Sequence, residues 1–141
     1  MKFTCNTKEL SKACQTVARA TSTKASVPAL EGIKIDVKGD KIRLCGYNLE
    51  LGITTAMQAD GNAEDGTTVL DAKTLCSIVK KLPDSSTTIE SATAGKVTIS
   101  SGAAQFEICG IPASEFPATP EIDIKSSVTL EQPILKSMIH Q

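Results

Sequence analysis

At 141 residues, with 40% hydrophobic and 22% charged side chains, the chain has the profile of one ordinary folded domain that can bury its own core. A formal net charge of −1 looks neutral towards a polyanion, and no apolar run approaches the roughly eighteen residues that a membrane-spanning helix needs. Met1-Lys2-Phe3-Thr4-Cys5 lacks the apolar stretch of a secretory signal, so the expectation is a cytoplasmic protein with no membrane partner.

An internal repeat organises the chain. Three segments run from an alternating strand through a polar cap into an amphipathic helix. The first leads from Phe3-Thr4-Cys5-Asn6 to Leu10, Ala13, Cys14 and Val17. The second leads from Val69-Leu70-Asp71 to Leu75, Ile78, Val79 and Leu82, and the third from Val128-Thr129-Leu130-Glu131 to Leu135, Met138 and Ile139. Leu10, Leu75 and Leu135 hold equivalent places at spacings of 65 and 60 residues, on stripes with the i, i+3, i+4 period of a helix. Helices are therefore predicted within 7–20 and 72–82.

After the first helix, strands are predicted at 29–37, 41–47 and 49–57, and after the second at 87–91, 96–100 and 104–110, all rich in Ile, Leu, Val and Thr. Gly39-Asp40, Tyr47-Asn48, Ala94-Gly95 and Ser101-Gly102 suit the tight reversals of an antiparallel meander. Each unit reads β-α-β-β-β. Two units can pair their strands into antiparallel sheets covered on one side by two helices, an α+β arrangement with one core. Proline-rich 111–120 reads as an extended connector, because proline removes a backbone donor and biases its predecessor away from helix. The organisation expected is a first domain over 1–120, a connector over 121–127, and over 128–141 the start of a second domain that is cut off after one helix.

Five cysteines with no C-x-x-C pair mostly fall at apolar positions and read as structural thiols, not metal ligands or nucleophiles. Three Phe, one Tyr and no Trp offer little material for stacking single-stranded bases. There is no G-x-x-x-x-G-K-[ST] phosphate loop, and the single His140 reads as a surface residue. Asp60 to Gly66 approaches a calcium loop, yet its glycine falls one place late and the twelfth position is Asp71, so an acidic hairpin loop is expected. Glu31, Glu50 and Glu90 sit in separate segments, which does not support a two-metal nuclease. No catalytic residue, cofactor or metal site is expected.

The near-neutral total hides an asymmetry. Residues 7–20 carry Lys8, Lys12 and Arg19 against Glu9, a balance of +2, and residues 72–82 carry Lys73, Lys80 and Lys81 with no acid, a balance of +3. Everything else totals −6. Lys8, Lys12, Gln15 and Arg19 recur at i, i+4, i+7 and i+11, one stripe away from the apolar face, and Lys73, Ser77 and Lys80 do likewise. Solvated helix faces are commonly lysine-rich. Two positive helices beside an acidic remainder favour a phosphate-facing surface over that reading. Lys24 sits in a loop of short side chains, Thr21-Ser22-Thr23-Lys24-Ala25-Ser26, that could lie close to a backbone or simply be solvated. Nothing resembles a base-reading helix, so contacts would go to phosphates without regard to sequence.

Met1-Lys2-Phe3-Thr4, Val27-Pro28-Ala29-Leu30, Gly46-Tyr47-Asn48-Leu49-Glu50-Leu51, Lys81-Leu82-Pro83, Ser101-Gly102 and Ile111-Pro112-Ala113-Ser114-Glu115-Phe116-Pro117 together resemble the bacterial DNA sliding clamp family, the β subunit of DNA polymerase III, in order and spacing. The likeness runs along the whole chain. It implies the DNA clamp fold and a processivity factor for DNA replication. Such a factor has no active site of its own and serves as a subunit of a nucleotidyltransferase holoenzyme. A full-length subunit would have three such domains, with two subunits joined head to tail as a homodimer ring around double-stranded DNA. Polymerase and clamp loader would engage regions outside these residues. Carried over position by position, the family's DNA contacts fall on Lys24 and Lys73; Lys8, Lys12, Arg19 and Lys80 join them from the stripe alone. Lysine keeps the charge but not the bidentate fork of arginine, so looser contacts are implied. The strand at 104–110 resembles the subunit joint, with Phe106 and Ile108 as apolar contacts. Ala103 and Gln105 stand where the family often has basic residues, so a strongly ionic joint is not implied. The competing reading is a clamp-like interaction domain that binds a protein through a sheet edge without closing a ring.

Overall fold

The computed structural model describes residues 1–141. β1 (Lys2–Asn6) runs straight into α1 (Thr7–Ala18), and β5 (Gly66–Asp71) runs straight into α2 (Ala72–Val79). The same device starts both helices: Asn6 Oδ1 accepts the Glu9 N–H at 3.1 Å, and Asp71 Oδ2 accepts the Thr74 N–H at 2.8 Å. Each side chain satisfies one amide of the first turn that has no intrahelical partner. Between and after the helices come β2 (Gly32–Lys38), β3 (Lys41–Tyr47), β4 (Gly52–Gln58), β6 (Ser86–Ser91), β7 (Lys96–Ser101) and β8 (Ala104–Cys109).

The strands form two four-stranded antiparallel sheets, ordered β4-β3-β2-β5 and β1-β6-β7-β8. Each unit therefore lends its leading strand to the other's sheet. β1 pairs with β6 in the register Phe3↔Ile89, and β5 pairs with β2 in the register Ile33↔Leu70. Strand alternation then sends Ile33, Ile35, Val37, Ile42 and Leu44 from one sheet, and Phe3, Cys5, Ile89, Val97 and Ile99 from the other, into one core with Leu10, Cys14, Val17, Leu75 and Val79 of the helices. Thr7 and Thr87 share a buried hydroxyl hydrogen bond of 2.6 Å where α1 meets β6.

β3 falls where it is expected, and the other boundaries move for local reasons. The segment 29–37 begins as a 3-10 turn, Pro28–Glu31, because Pro28 has no N–H to give a ladder, and the strand starts only at Gly32. The segment 49–57 starts late as well. Asn48 Oδ1 accepts the N–H groups of Glu50 (3.0 Å) and Leu51 (2.8 Å), which draws Leu49 to φ 75° and delays β4 to Gly52.

The segment 111–120 is not a free connector in its first half. Ile111 exchanges backbone hydrogen bonds with Val69, a second 3-10 turn spans Ala113–Glu115, and Phe116 is buried. Phe116 joins Ala29, Leu30, Cys45, Tyr47 and Val69 in a smaller cluster distinct from the main core. Residues 128–131 form no strand, while α3 (Gln132–His140) is helical with every residue from Glu121 to Gln141 exposed. Of the cysteines, Cys5, Cys14 and Cys45 are buried, Cys76 is half-buried and Cys109 is exposed.

Candidate nucleic-acid interface

The apolar stripes of α1 and α2 face the core, so their polar stripes face outward. Lys8, Lys12, Gln15 and Arg19 are all exposed and, with Ser11 and Thr16, line one shallow open channel along α1. Their neighbours are tied back to the helix: Gln15 Nε2 donates to Ser11 Oγ at 3.0 Å, and Thr16 Oγ1 donates to the Lys12 carbonyl at 2.8 Å. On α2, Lys73, Ser77 and Lys80 are exposed, with Ser77 Oγ donating to the Lys73 carbonyl at 2.8 Å. Lys24, Lys73 and Lys80 lie outside the α1 channel.

Lys24 is exposed on a short loop fixed at both ends. Thr21 Oγ1 donates to the Ala18 carbonyl at 2.7 Å, Ser22 N–H to the Leu30 carbonyl at 3.0 Å, and Ala25 N–H to Glu31 Oε1 at 3.0 Å. None of these six cations has an ion-pair partner, since the one ion pair of the chain is Lys2–Glu90 at 3.4 Å.

Placement on the helices adds a feature that stripe-reading misses. Lys8 and Lys73 each occupy the second position of their helix, where the macrodipole disfavours a cation by about 0.3–1 kcal/mol. Arg19 and Lys80 each occupy the C-cap, where a cation is favoured. The two units thus repeat the same charge pattern, including its unfavourable member. Both placements work against helix stability, although Glu9 in the first turn of α1 offsets part of the cost there. The signal was present in the sequence, in Asn6 and Asp71 as caps, but it needed the helix starts to be fixed.

β8 is the unpaired outer edge of its sheet. Its register, Val97↔Ile108 and Ile99↔Phe106, puts Phe106 and Ile108 on the same face as the core residues of β7. Ile108 is half-buried against that core, and Phe106 at its margin remains 37% exposed. Gln105 and Glu107 alternate with them and are exposed. No group of three His, Cys, Asp or Glu side chains could hold a metal ion, and no helix is long and apolar enough to cross a membrane.

A family model described as "DNA polymerase III beta subunit, N-terminal domain" matches residues 1–120. The chain belongs to this family. A beta sliding clamp of Bacillus subtilis is 32% identical over 148 residues, covering 100% of the chain and 39% of the relative. The crystal structure of a DNA polymerase sliding clamp from the same organism superposes with a TM-score of 0.92 at 32% identity, again covering 100% of this chain and 39% of that one. A DNA polymerase III subunit beta from Pseudomonas aeruginosa superposes at a TM-score of 0.93 with 26% identity, over 99% of this chain and 38% of that one. The clamp fold expected from the sequence is therefore the fold present, and the chain spans well under half the length of these beta subunits.

Proposed function

We propose that this chain supplies the first domain of a sliding clamp, a ring that encloses duplex DNA and keeps a replicative polymerase on its template without chemistry of its own. The repeated charge pattern of α1 and α2 carries this reading: exposed, unpaired cations sit at both ends of each helix on the helical side of two sheets. Such cations neutralise phosphates one at a time and read no bases, so the contact is the same at every base pair and weakens with salt. Lys24 and Lys73 are the leading contacts, supported by Lys8, Lys12, Arg19 and Lys80. Residues 1–120 act as the domain, 121–127 as the link and 128–141 as the opening of the next domain. β8, through Phe106, Ile108 and Gln105, is the joint to a second subunit in a head-to-tail homodimer. Polymerase and clamp loader dock elsewhere on the longer protein, in the cytoplasm.

The test is retention of the full-length protein on nicked circular DNA before and after linearisation, with Lys24→Glu and Lys73→Glu alongside at two salt concentrations. Release on linearisation, and weaker loading by the charge reversals, is the expected result. A second reading, a partner-binding module using a sheet edge without a ring, draws on the open β8 edge and its exposed Phe106. Equal retention on linear DNA, or no retention on circles, would establish it instead.

A further inference from the structure

The sheet β4-β3-β2-β5 has a second face. Ile33, Ile35, Ile42 and Leu44 point into the core, so Lys34, Asp36, Arg43 and Thr54 point away from it, on the side opposite the helices. Phe116 and the residues just after it cross this face and border a partly open pocket of about 90 Å³ lined by Lys34, Asp36, Arg43, Thr54 and Thr119. A water occupies about 30 Å³ of liquid, so the space takes a compact group of a few heavy atoms.

The donors in this cavity are in excess. The strand registers Asp36↔Arg43, Lys34↔Cys45 and Cys45↔Thr54 bring two cations and a hydroxyl from three adjacent strands to one spot. The one carboxylate there, Asp36, accepts the Thr67 hydroxyl at 2.7 Å, and it forms no ion pair with either cation. The Lys34 ammonium lies over the Phe116 ring, 5.8 Å from its centroid and within cation–π range. Thr54 and Thr119 add hydroxyls that can rotate to donate. Two cations and two hydroxyls around a small cavity suit a tetrahedral oxyanion, whose several acceptor oxygens match several donors.

We propose that this cavity binds a compact oxyanion of the phosphate class and thereby fastens the segment from Phe116 to Thr119 onto the sheet. Phe116 is the last buried residue of the chain and Pro117 the last half-buried one, and every residue from Ala118 onward is exposed. Occupancy therefore sets the direction in which the chain leaves the domain. The site lies across the sheet from Lys12 and Arg19 and is separate from the DNA-facing surface proposed above.

An NMR titration of the isotope-labelled 141-residue chain with inorganic phosphate tests this, with chloride at matched ionic strength as the reference. Saturable shifts at Lys34, Arg43, Phe116 and Thr119, absent in chloride, are expected. Lys34→Gln with Arg43→Gln should weaken the affinity on the order of tenfold or more, the effect of losing charge-assisted contacts. Lys34→Gln alone, which keeps a stem against Phe116, provides the same comparison should the double variant unfold. Shifts that never saturate, that persist undiminished in the variants, or that map only to Lys8, Lys12 and Arg19 would overturn the proposal.

Discussion

At Gly46 β3 passes close against the last turn of α1, and Gly46→Ala is a sharp test of how the helical layer is seated. A Cβ at this position would lie 2.1 Å from the Val17 carbonyl oxygen, 3.0 Å from its carbonyl carbon and 3.3 Å from Thr21 Cγ2. Carbon and carbonyl oxygen ordinarily approach to about 3.3 Å, so helix and sheet must part by roughly 1 Å. The obstacle is backbone in the last turn of α1, which no rotamer change can remove. Overpacking of this kind costs about 1–3 kcal/mol, and a rigid obstacle puts the cost at the upper end. For a chain of this length that is a fall in Tm of roughly 6–12 °C. Gly52→Ala is the control, because its Cβ would meet only Tyr47 Cδ2 at 3.5 Å, an ordinary contact. Thermal unfolding followed by far-UV circular dichroism, with urea unfolding in parallel, compares the two. If Gly46→Ala melts within about 1 °C of the parent, the close approach is not a constraint on the fold, and the seating of Arg19 and the Lys24 loop must have another origin.

Phe116→Ala should cost about 3 kcal/mol by emptying the outer cluster, and native-state hydrogen exchange should show the Val69 and Ile111 amides opening first; unchanged protection there would mean the segment after β8 is held by its backbone alone. Asn6→Ala and Asp71→Ala should each cost about 1 kcal/mol in urea unfolding, with the double variant near their sum because the caps serve different helices. Burial, with smaller contributions from Asp60 and Glu9, lifts the Cys5 thiol from 9.0 to about 12, and burial lifts Cys14 in the same direction. The unfolded chain ionises these thiols first, so their contribution to stability is complete below pH 9 and is lost as pH rises towards 12; urea midpoints should fall across that range, and less so in Cys5→Ala. At pH 8 a thiol reagent should label Cys109 first, Cys76 more slowly, and Cys5, Cys14 and Cys45 only on unfolding, so labelling of Cys14 at the rate of Cys109 would refute the packing described.

Segments governed by local periodicity were legible from the residues alone. The stripes through Leu10 and Leu75 announced both helices, and the alternation of Ile42 and Leu44 with Lys41 and Arg43 gave β3 its full extent. What could not be read depended on distant partners or on side chains competing for backbone groups. Phe3 finds Ile89, a pairing with no local signature, so the exchange of leading strands is invisible to periodicity. Asn48 captures the amides of Glu50 and Leu51, which overrides the strand propensity of the leucines beside it. Within the candidate site, the stripe Lys8, Lys12, Gln15 and Arg19 emerged from spacing, whereas the opposition of Lys8 and Lys73 to their helix dipoles required the caps. The cavity beneath Phe116 was missed because the segment carrying it reads, by its prolines, as chain in transit.

The exchange of leading strands also governs how the chain can come to fold. β1 must wait for β6, more than eighty residues downstream, and β2 closes one of its two ladders only when β5 arrives. Contacts so far apart in sequence delay folding, because the entropy of closing the intervening loop is lost before any pairing compensates it. During synthesis the first unit therefore emerges with one strand unpartnered and one sheet short of a member. Each half alone would lack a ladder partner, so two pieces cut in the loop before Gly66 should regain structure only when mixed. The two repeated units thus depend on each other for their ladders: completing the chain gives β1 and β2 their missing partners, while β8 stays an open edge.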